Sequence, residues 1–351
     1  MQQQAGAEKM NMDRQGFIGI TMGCPVGIGP EIILRFFTGQ KIFGSYIPVV
    51  IGDIGQLKRC AGELQIGVDI VPWVPGTAVD AGKLQVIEPA ASGGYWLDSA
   101  VLQWGKPNKE TGRATLAYIT EAVRLIRMGT LKGMVTGPIA KHAIQSAGCS
   151  FPGHTEILAS LCGVSNYGMM MAGKRLKVSL VTIHTPVAKV SAQLSRDEII
   201  RVINLTGETL IRDFALFRPR IAVAGLNPHG GESGLFGEEE IKVIAPAVRA
   251  ADAGRWQVSG PHPPDTVFMQ ALANKYDAVV AMYHDQGLIP FKLLHFEDGV
   301  NLTMGLPIVR TSVDHGTAYD IAGKGIASAS SLGAAFSTVV HIINNRKAKT
   351  E

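Results

Sequence analysis

Between Ala281 and Gly325 the chain places His284, Asp285, Lys292, Asn301, Arg310, Asp314, His315 and Asp320 in one short region of a mostly apolar protein. These side chains can bind metal, hold anions or move protons, and solubility does not explain their density. Two more histidines join them by position. His184, His229 and His284 each follow an apolar strand-like run: VSLVTIH, RIAVAGLNPH and DAVVAMYH. In open parallel sheets, ligands bind beyond the carboxyl ends of the strands. Three imidazoles meeting there suit one divalent metal and leave coordination positions open for a substrate. Imidazole suits zinc, and also cobalt, nickel, manganese or iron; zinc is the expected ion, with magnesium, manganese or cobalt as the alternatives. The competing reading gives each histidine an ordinary loop hydrogen bond, and pattern alone leaves both open.

Other residues carry a double reading too. Arg310 lies in LPIVRTS, among apolar neighbours, where an uncompensated charge is costly. An anionic ligand or a buried carboxylate is expected beside it. His154 and Thr155, in PGHTE, suit a helix start or a ligand contact. Lys292 is a surface charge or an anion contact, and Asp265, in GPHPPDTVF, is an N-cap or a functional carboxylate. Cys24 sits on a Gly-rich loop and is expected to face ligand, with no base nearby in sequence to make it a nucleophile. His142, His262, His295 and His341 read as structural.

The elements that position these residues alternate between strand and helix. A short buried strand at Phe17–Met22 runs into GCPVGIGPEIILRFF. There Gly27 and Gly29 permit a tight loop and Pro30 suits the first helical turn. Strand, Gly-rich turn and helix start make a candidate anion or cofactor site, although Pro30 breaks the spacing of a dinucleotide fingerprint. Further strands are expected at Ile47–Ile51, Gly133–Val135, Lys177–Ile183, Arg220–Ala224, Gln257 and Ala278–Met282. Helices are expected near 54–64, 109–128, 196–214, 238–251, 265–275 and 330–344. The long one, from about Lys109 to Met128, shows Leu116, Ile119, Val123 and Ile126 at helical spacing. Such alternation predicts an α/β protein with parallel sheets covered on both faces. The expected organisation is a disordered tail over 1–15, a first lobe over 16–138 plus 306–351 carrying the cofactor loop, and a second lobe over 139–305 carrying the metal histidines.

Composition narrows the class. With 351 residues, 46% hydrophobic and 18% charged, the chain has the balance of a globular enzyme. A formal charge of +4 without a Lys/Arg run gives no nucleic-acid footprint. No apolar run reaches the ~18 residues of a membrane span, and the four cysteines form no CxxC pair, as expected of reduced thiols in a cytoplasmic protein.

The motifs TMGCPVGIGPEI, TGPIAK, PGHTE, GLNPHGGESG, GPHPPDT, MYHDQGLIPFK and GVNLTMGLPIVRTSVDHGTAYDIAGKG occur in this order across nearly the whole chain. Together they resemble the 4-hydroxythreonine-4-phosphate dehydrogenase family. The resemblance implies a fold similar to isocitrate and isopropylmalate dehydrogenases: two α/β/α lobes around a cleft, in a homodimer with the active site near the interface. It implies that His184, His229 and His284 hold a divalent metal, one of them donated by the partner subunit. It implies substrate contacts from His154, Thr155, Lys292, Asn301 and Arg310, with Lys292 or Asp265 assisting proton transfer. The segment HGTAYDIAGKG looks like an adenosine loop, so His315, Gly316, Thr317 and Asp320, with Gly27 and Gly29, are expected at the cofactor. A carboxylate at Asp320 would favour NAD over NADP. The implied reaction is metal-assisted oxidation, with decarboxylation, of a small phosphorylated hydroxy acid, 4-phosphooxy-L-threonine in pyridoxal phosphate biosynthesis. Relatives in the same family act on D-threonate or D-erythronate 4-phosphate. One departure stands out: the family usually carries Asp where this chain has Cys24. Two readings of other classes are a three-histidine metallohydrolase and a non-catalytic phosphoacid-binding protein.

Overall fold

The computed structural model describes residues 16–39, 45–80, 82–89, 97–251 and 254–348. The expected tail over 1–15 lies outside them. The chain forms two compact units, one of residues 1–162 and 308–340, the other of 163–307 and 341–351. The division expected at 138/139 falls later for a local reason. Helix α5 (His154–Cys162) stays with the first unit, where Arg127 donates to the Leu161 carbonyl at 2.6 Å.

The first unit contains β1 (Gly16–Thr21), α1 (Gly29–Gly39), β2 (Tyr46–Ile51), α2 (Ile54–Glu63), β3 (Ile70–Pro72), β4 (Leu84–Ile87), α3 (Lys109–Arg127), β5 (Leu131–Thr136), α4 (Lys141–Ser146) and α5. It also receives the returning strand β12 (Arg310–Val313). Its strands lie in the order β3-β4-β2-β1-β5-β12, and every pairing is parallel. Strands buried on both faces read as continuous apolar runs, as β1 and β2 do. Helix α3 begins where it should. Asn108 accepts from the Thr111 N–H, and the Thr111 hydroxyl accepts from the Asn108 N–H, a reciprocal capping box.

The second unit contains β6 (Gly168–Ala172), β7 (Lys177–Leu180), α6 (Val187–Gln193), α7 (Arg196–Arg212), β8 (Arg220–Ala224), α8 (Ala245–Ala251), β9 (Gln257–His262), α9 (Val267–Leu272), β10 (Ala278–Ala281), α10 (His284–His295) and β11 (Val300–Met304). Here the strands run β11-β6-β7-β10-β8-β9. The sheet is mixed, which corrects the all-parallel expectation: β6 runs antiparallel to both β11 and β7. The C-terminal four strands of this order are parallel. Helix α10 was hidden in the sequence by Gly287 and Pro290 inside it. Gly287 is needed there, since a Cβ would meet Val178 Cγ1 at 2.7 Å.

The last helix, α11 (Ser330–Lys347), belongs to the first unit up to Val340 and to the second beyond it. Its end is tied inside the second unit by Asp213, 1% exposed. The Asp213 carboxylate accepts from Arg212 Nε at 2.8 Å and Arg346 Nε at 2.7 Å. Burial by itself would raise its pKa, but the two guanidiniums prevail and hold it below the usual carboxylate range. A carboxylate depressed in the folded state contributes stability at neutral pH that is lost as pH falls through its folded pKa. Asp213→Asn is therefore expected to cost about 3 kcal/mol at pH 7 and to flatten the acid side of the stability profile, measured by urea unfolding at pH values from neutral to acid.

Candidate active site

The Gly-rich loop is shaped by its own chain. At Gly29 a Cβ would stand 2.1 Å from the Met22 carbonyl oxygen, and at Gly27 it would stand 3.0 Å from that of Thr317. The Ile28 N–H donates to the same Thr317 oxygen at 3.1 Å. Both glycines thus serve close packing, and Gly27 with the Ile28 N–H joins the loop to the 315–320 segment. Cys24 is buried, 1% exposed, contrary to the expectation that it faces ligand. Its Sγ accepts from the Tyr319 hydroxyl at 3.4 Å, a second tie between the two loops. His315 pairs Nδ1 with the Gly316 carbonyl at 3.1 Å, while its buried Nε2 has no hydrogen-bond partner among the described residues. Asp320 is exposed beside Tyr319.

Strands β5 and β12 pair in register Arg310↔Met134, and this sets Arg310 beside Thr136. The guanidinium is 2% exposed and donates to Thr136 Oγ1 from Nη2 at 2.7 Å and from Nε at 3.1 Å. Burial pushes its pKa down to about 9, with Glu156 partly opposing, so it remains a cation at neutral pH. His154 opens helix α5 nearby. Burial, with Arg310 adding to it, drives its pKa well below the ordinary value, so it is neutral. Its Nε2 is sealed from solvent with no partner among the described residues. A buried cation next to an orphaned imidazole nitrogen is an environment that an anion with a hydroxyl or acid proton satisfies. Thr155, next in the same helix turn, is half-buried.

In the second unit, His184 and His284 stand together, with ring centroids 6.3 Å apart. They follow β7 and β10, paired in parallel with Ala281 opposite Leu180. The backbone extends this pairing towards them through Val181 N–H to Ala281 O at 2.9 Å and Thr182 N–H to Met282 O at 3.1 Å. His284 Nδ1 meets the Asp285 carboxylate at 2.7 Å. A carboxylate only accepts, so Nδ1 is the donor, and in the neutral imidazole Nε2 is then the nitrogen whose lone pair can meet a metal. Two imidazoles so arranged fit a divalent cation.

His229 is placed differently. It lies in a turn, Pro228–Gly234, and its ring packs 6.2 Å from that of Phe236. Among the described residues no three His, Cys, Asp or Glu side chains form a metal-sized group. The expected meeting of three imidazoles is thus not found within one chain. His229 instead lines a cleft of about 710 Å³ with Asp265, Phe268, Tyr283 and Leu293. Asp265 is exposed and does not cap α9, whose N-cap is Thr266. Lys292 lies on α10, half-buried. Asn301, on β11, sends Nδ2 to the Met169 sulfur at 3.0 Å. Thr136 and Tyr319 were not singled out in the sequence, although both sit inside quoted motifs. Their roles appear only once β12 and the 315–320 segment are folded against β5 and the Gly-rich loop.

Fold and site define an α/β protein with a buried guanidinium near a sealed imidazole in one unit and a pair of imidazoles in the other. The chain belongs to the family described as pyridoxal phosphate biosynthetic protein PdxA, whose model matches residues 45–339. It is 51% identical to a 4-hydroxythreonine-4-phosphate dehydrogenase of Desulfosudis oleivorans, across 94% of this chain and 96% of that one. It is 41% identical to a protein of Symbiobacterium thermophilum, provisionally named D-threonate 4-phosphate dehydrogenase, across 92% and 95%. Its fold matches the crystal structure of the 4-hydroxythreonine-4-phosphate dehydrogenase of Klebsiella pneumoniae with a TM-score of 0.85 at 40% identity, covering 94% of this chain and 98% of that one.

The neutrality of His154 can be read directly. In ring-labelled protein followed by NMR, its resonances should show no titration in the region near pH 6.5 where an ordinary imidazole changes charge. Replacing Arg310 by Met should move the titration upward, towards that value.

Proposed function

We propose that the chain oxidises 4-phosphooxy-L-threonine, with loss of CO₂, using NAD and a divalent metal. The observation that carries this reading is the buried Arg310 guanidinium beside the orphaned His154 Nε2. That pairing suits the phosphate or carboxylate of a phosphorylated hydroxy acid. The names of the relatives support the same substrate class. Family membership and the loop tie at Thr317 and Tyr319 weigh against the metallohydrolase reading, which has no use for a nucleotide segment.

The residues divide the work as follows. Arg310 binds one anionic end, charge-assisted and pre-formed by Thr136. Neutral His154 offers Nε2 to a neighbouring hydroxyl or acid proton. Thr155, Lys292 and Asn301 orient the remaining polar groups. Asp285 keeps the His284 Nε2 lone pair available, and His184 supplies the second nitrogen. A bound divalent cation supplies Lewis acidity to the alcohol oxygen, and bound NAD supplies the hydride acceptor. Asp265 takes the alcohol proton, and Lys292 returns a proton after decarboxylation. His315, Gly316, Thr317 and Asp320 hold the adenosine end, where the Asp320 carboxylate repels a 2′-phosphate and so selects NAD.

The third imidazole, His229, comes from a partner subunit in this reading. Three side chains support a homodimer: Ile289 and Leu293 on α10 and Met269 on α9 are 60%, 83% and 70% exposed, and all three line the cleft that His229 borders. A second substrate reading, D-threonate or D-erythronate 4-phosphate, draws support from the Symbiobacterium relative.

The test is an assay of phosphorylated hydroxy acids with NAD and with NADP in the presence of Zn²⁺, Mg²⁺, Mn²⁺ or Co²⁺. NADH should form fastest from 4-phosphooxy-L-threonine, and no NADH from any member of the panel would sink the reading. Arg310→Ala should weaken substrate by roughly tenfold or more in KM. His229→Ala should abolish turnover and metal uptake together.

A further inference from the structure

The turn that carries His229 has an unusual backbone. Five consecutive residues are left-handed: His229 (φ 53°), Gly230 (68°), Gly231 (83°), Glu232 (43°) and Ser233 (56°). Three of them have a Cβ, and each such residue costs about 1–2 kcal/mol in this region. A conformation of that kind persists only where its surroundings over-determine it.

Glu240, which is 3% exposed, packs under the turn and holds the residues that lead into it. Its Oε1 accepts from the Leu226 N–H at 2.7 Å and the Asn227 N–H at 2.8 Å, and its Oε2 accepts from Asn227 Nδ2 at 2.9 Å. The fit is close on all sides. A Cβ at Gly231 would stand 2.6 Å from Oε2, and one at Gly225 would stand 3.0 Å from Oε1. Glu240 itself opens a one-turn π-helix, Glu240–Ile244, an irregularity that concentrates at functional sites.

The same network reaches the segments that follow the other two histidines. Asn227 Nδ2 also donates to Glu239 at 2.8 Å, and Glu239 accepts from Ser191 Oγ at 2.6 Å. Ser191 lies on α6, the helix that follows His184. On the other side, Gln286, two residues past His284, donates from Nε2 to the Gly225 carbonyl at 2.7 Å, while its Oε1 accepts from the Met282 N–H at 2.7 Å. One polar chain therefore runs from the segment after His184, through the His229 turn, to the start of α10.

We propose that Glu240, assisted by Gln286, is a positioning residue for the metal site, holding the left-handed turn in the conformation from which it presents His229 to the site of the partner subunit. The proposal rests on the metal reading given above. It adds that the affinity of the site is set by a buried carboxylate that touches neither metal nor substrate. Glu240→Gln keeps an acceptor for both N–H groups but sets an NH₂ against Asn227 Nδ2. It is conservative in volume and isolates the anchoring role from packing.

The experiment is a Co²⁺ titration of the full-length protein, followed by its visible absorption, alongside NAD-linked kinetics and thermal unfolding. Wild type, Glu240→Gln, Glu240→Asp, Gln286→Leu and His229→Ala are compared. Glu240→Gln should weaken Co²⁺ uptake about 10–100-fold, alter the absorption envelope and lower kcat more than it raises KM, with the unfolding transition close to that of wild type. Gln286→Leu should act in the same direction. Wild-type Co²⁺ affinity, spectrum and kcat in Glu240→Gln overturn the proposal and leave the metal reading standing. Failure of the wild type to take up Co²⁺, or full retention of Co²⁺ by His229→Ala, overturns the metal reading and the proposal with it. Glu240→Asp, one methylene shorter, should fall between wild type and Gln286→Leu; equality of all variants with wild type again overturns it.

Discussion

Strand β10 is hydrogen-bonded on one edge to β7 and on the other to β8, and all three run parallel. Parallel pairing sends neighbouring strands out of the sheet at the same end, and the residues beyond that end must then share space. His184, His229 and His284 all occupy such positions. The register decides which of them meet. Val279 sits opposite both Val178 and Ala222, but the chain after β7 bends directly towards His184, whereas the chain after β8 enters a long turn before and after His229. The sheet therefore brings one pair of imidazoles together and carries the third to the border of the cleft with Asp265.

Arg310 shows the complementary principle in the first unit. A buried cation is tolerable only when donors and charge around it are satisfied. Here the returning strand β12 delivers the guanidinium to Thr136, at the end of β5, and to the vicinity of Glu156. That arrangement requires the C-terminal part of the chain to come back to the N-terminal unit. The cationic cluster is thus assembled from segments about 170 residues apart, and its character depends on topology as much as on residue type.

Much of the strand–helix alternation was legible because apolar runs and caps are local signals. Asn108 and Thr111 mark the start of α3, and the unbroken VVI and AVVA runs mark β2 and β10. What escaped was whatever local sequence contradicts. Helix α10 contains Gly287 and Pro290, and β6 and β11 are short and pair antiparallel with each other across more than 100 residues of sequence. In the site, the residue types and their order were readable, and Arg310 was legible as a buried charge. The separate position of His229, the burial of Cys24 and the Glu240 network were not readable, because each depends on contacts that sequence spacing does not encode. Glu240 in particular sits in an EEE run that looks like solvated surface.

The sealed Cys24 gives the Gly-rich loop a character of its own. In this loop the chain buries a thiol beneath the Tyr319 hydroxyl. Burial raises the thiol's pKa, despite hydrogen bonds that oppose the shift. Oxidants and electrophiles attack the thiolate of an accessible cysteine, and this one is neither ionised nor accessible. A thiol placed there adds no charge to the loop and little redox liability. A cysteine can therefore stand at the join between the Gly-rich loop and the 315–320 segment and be shielded there from oxidants in the surroundings.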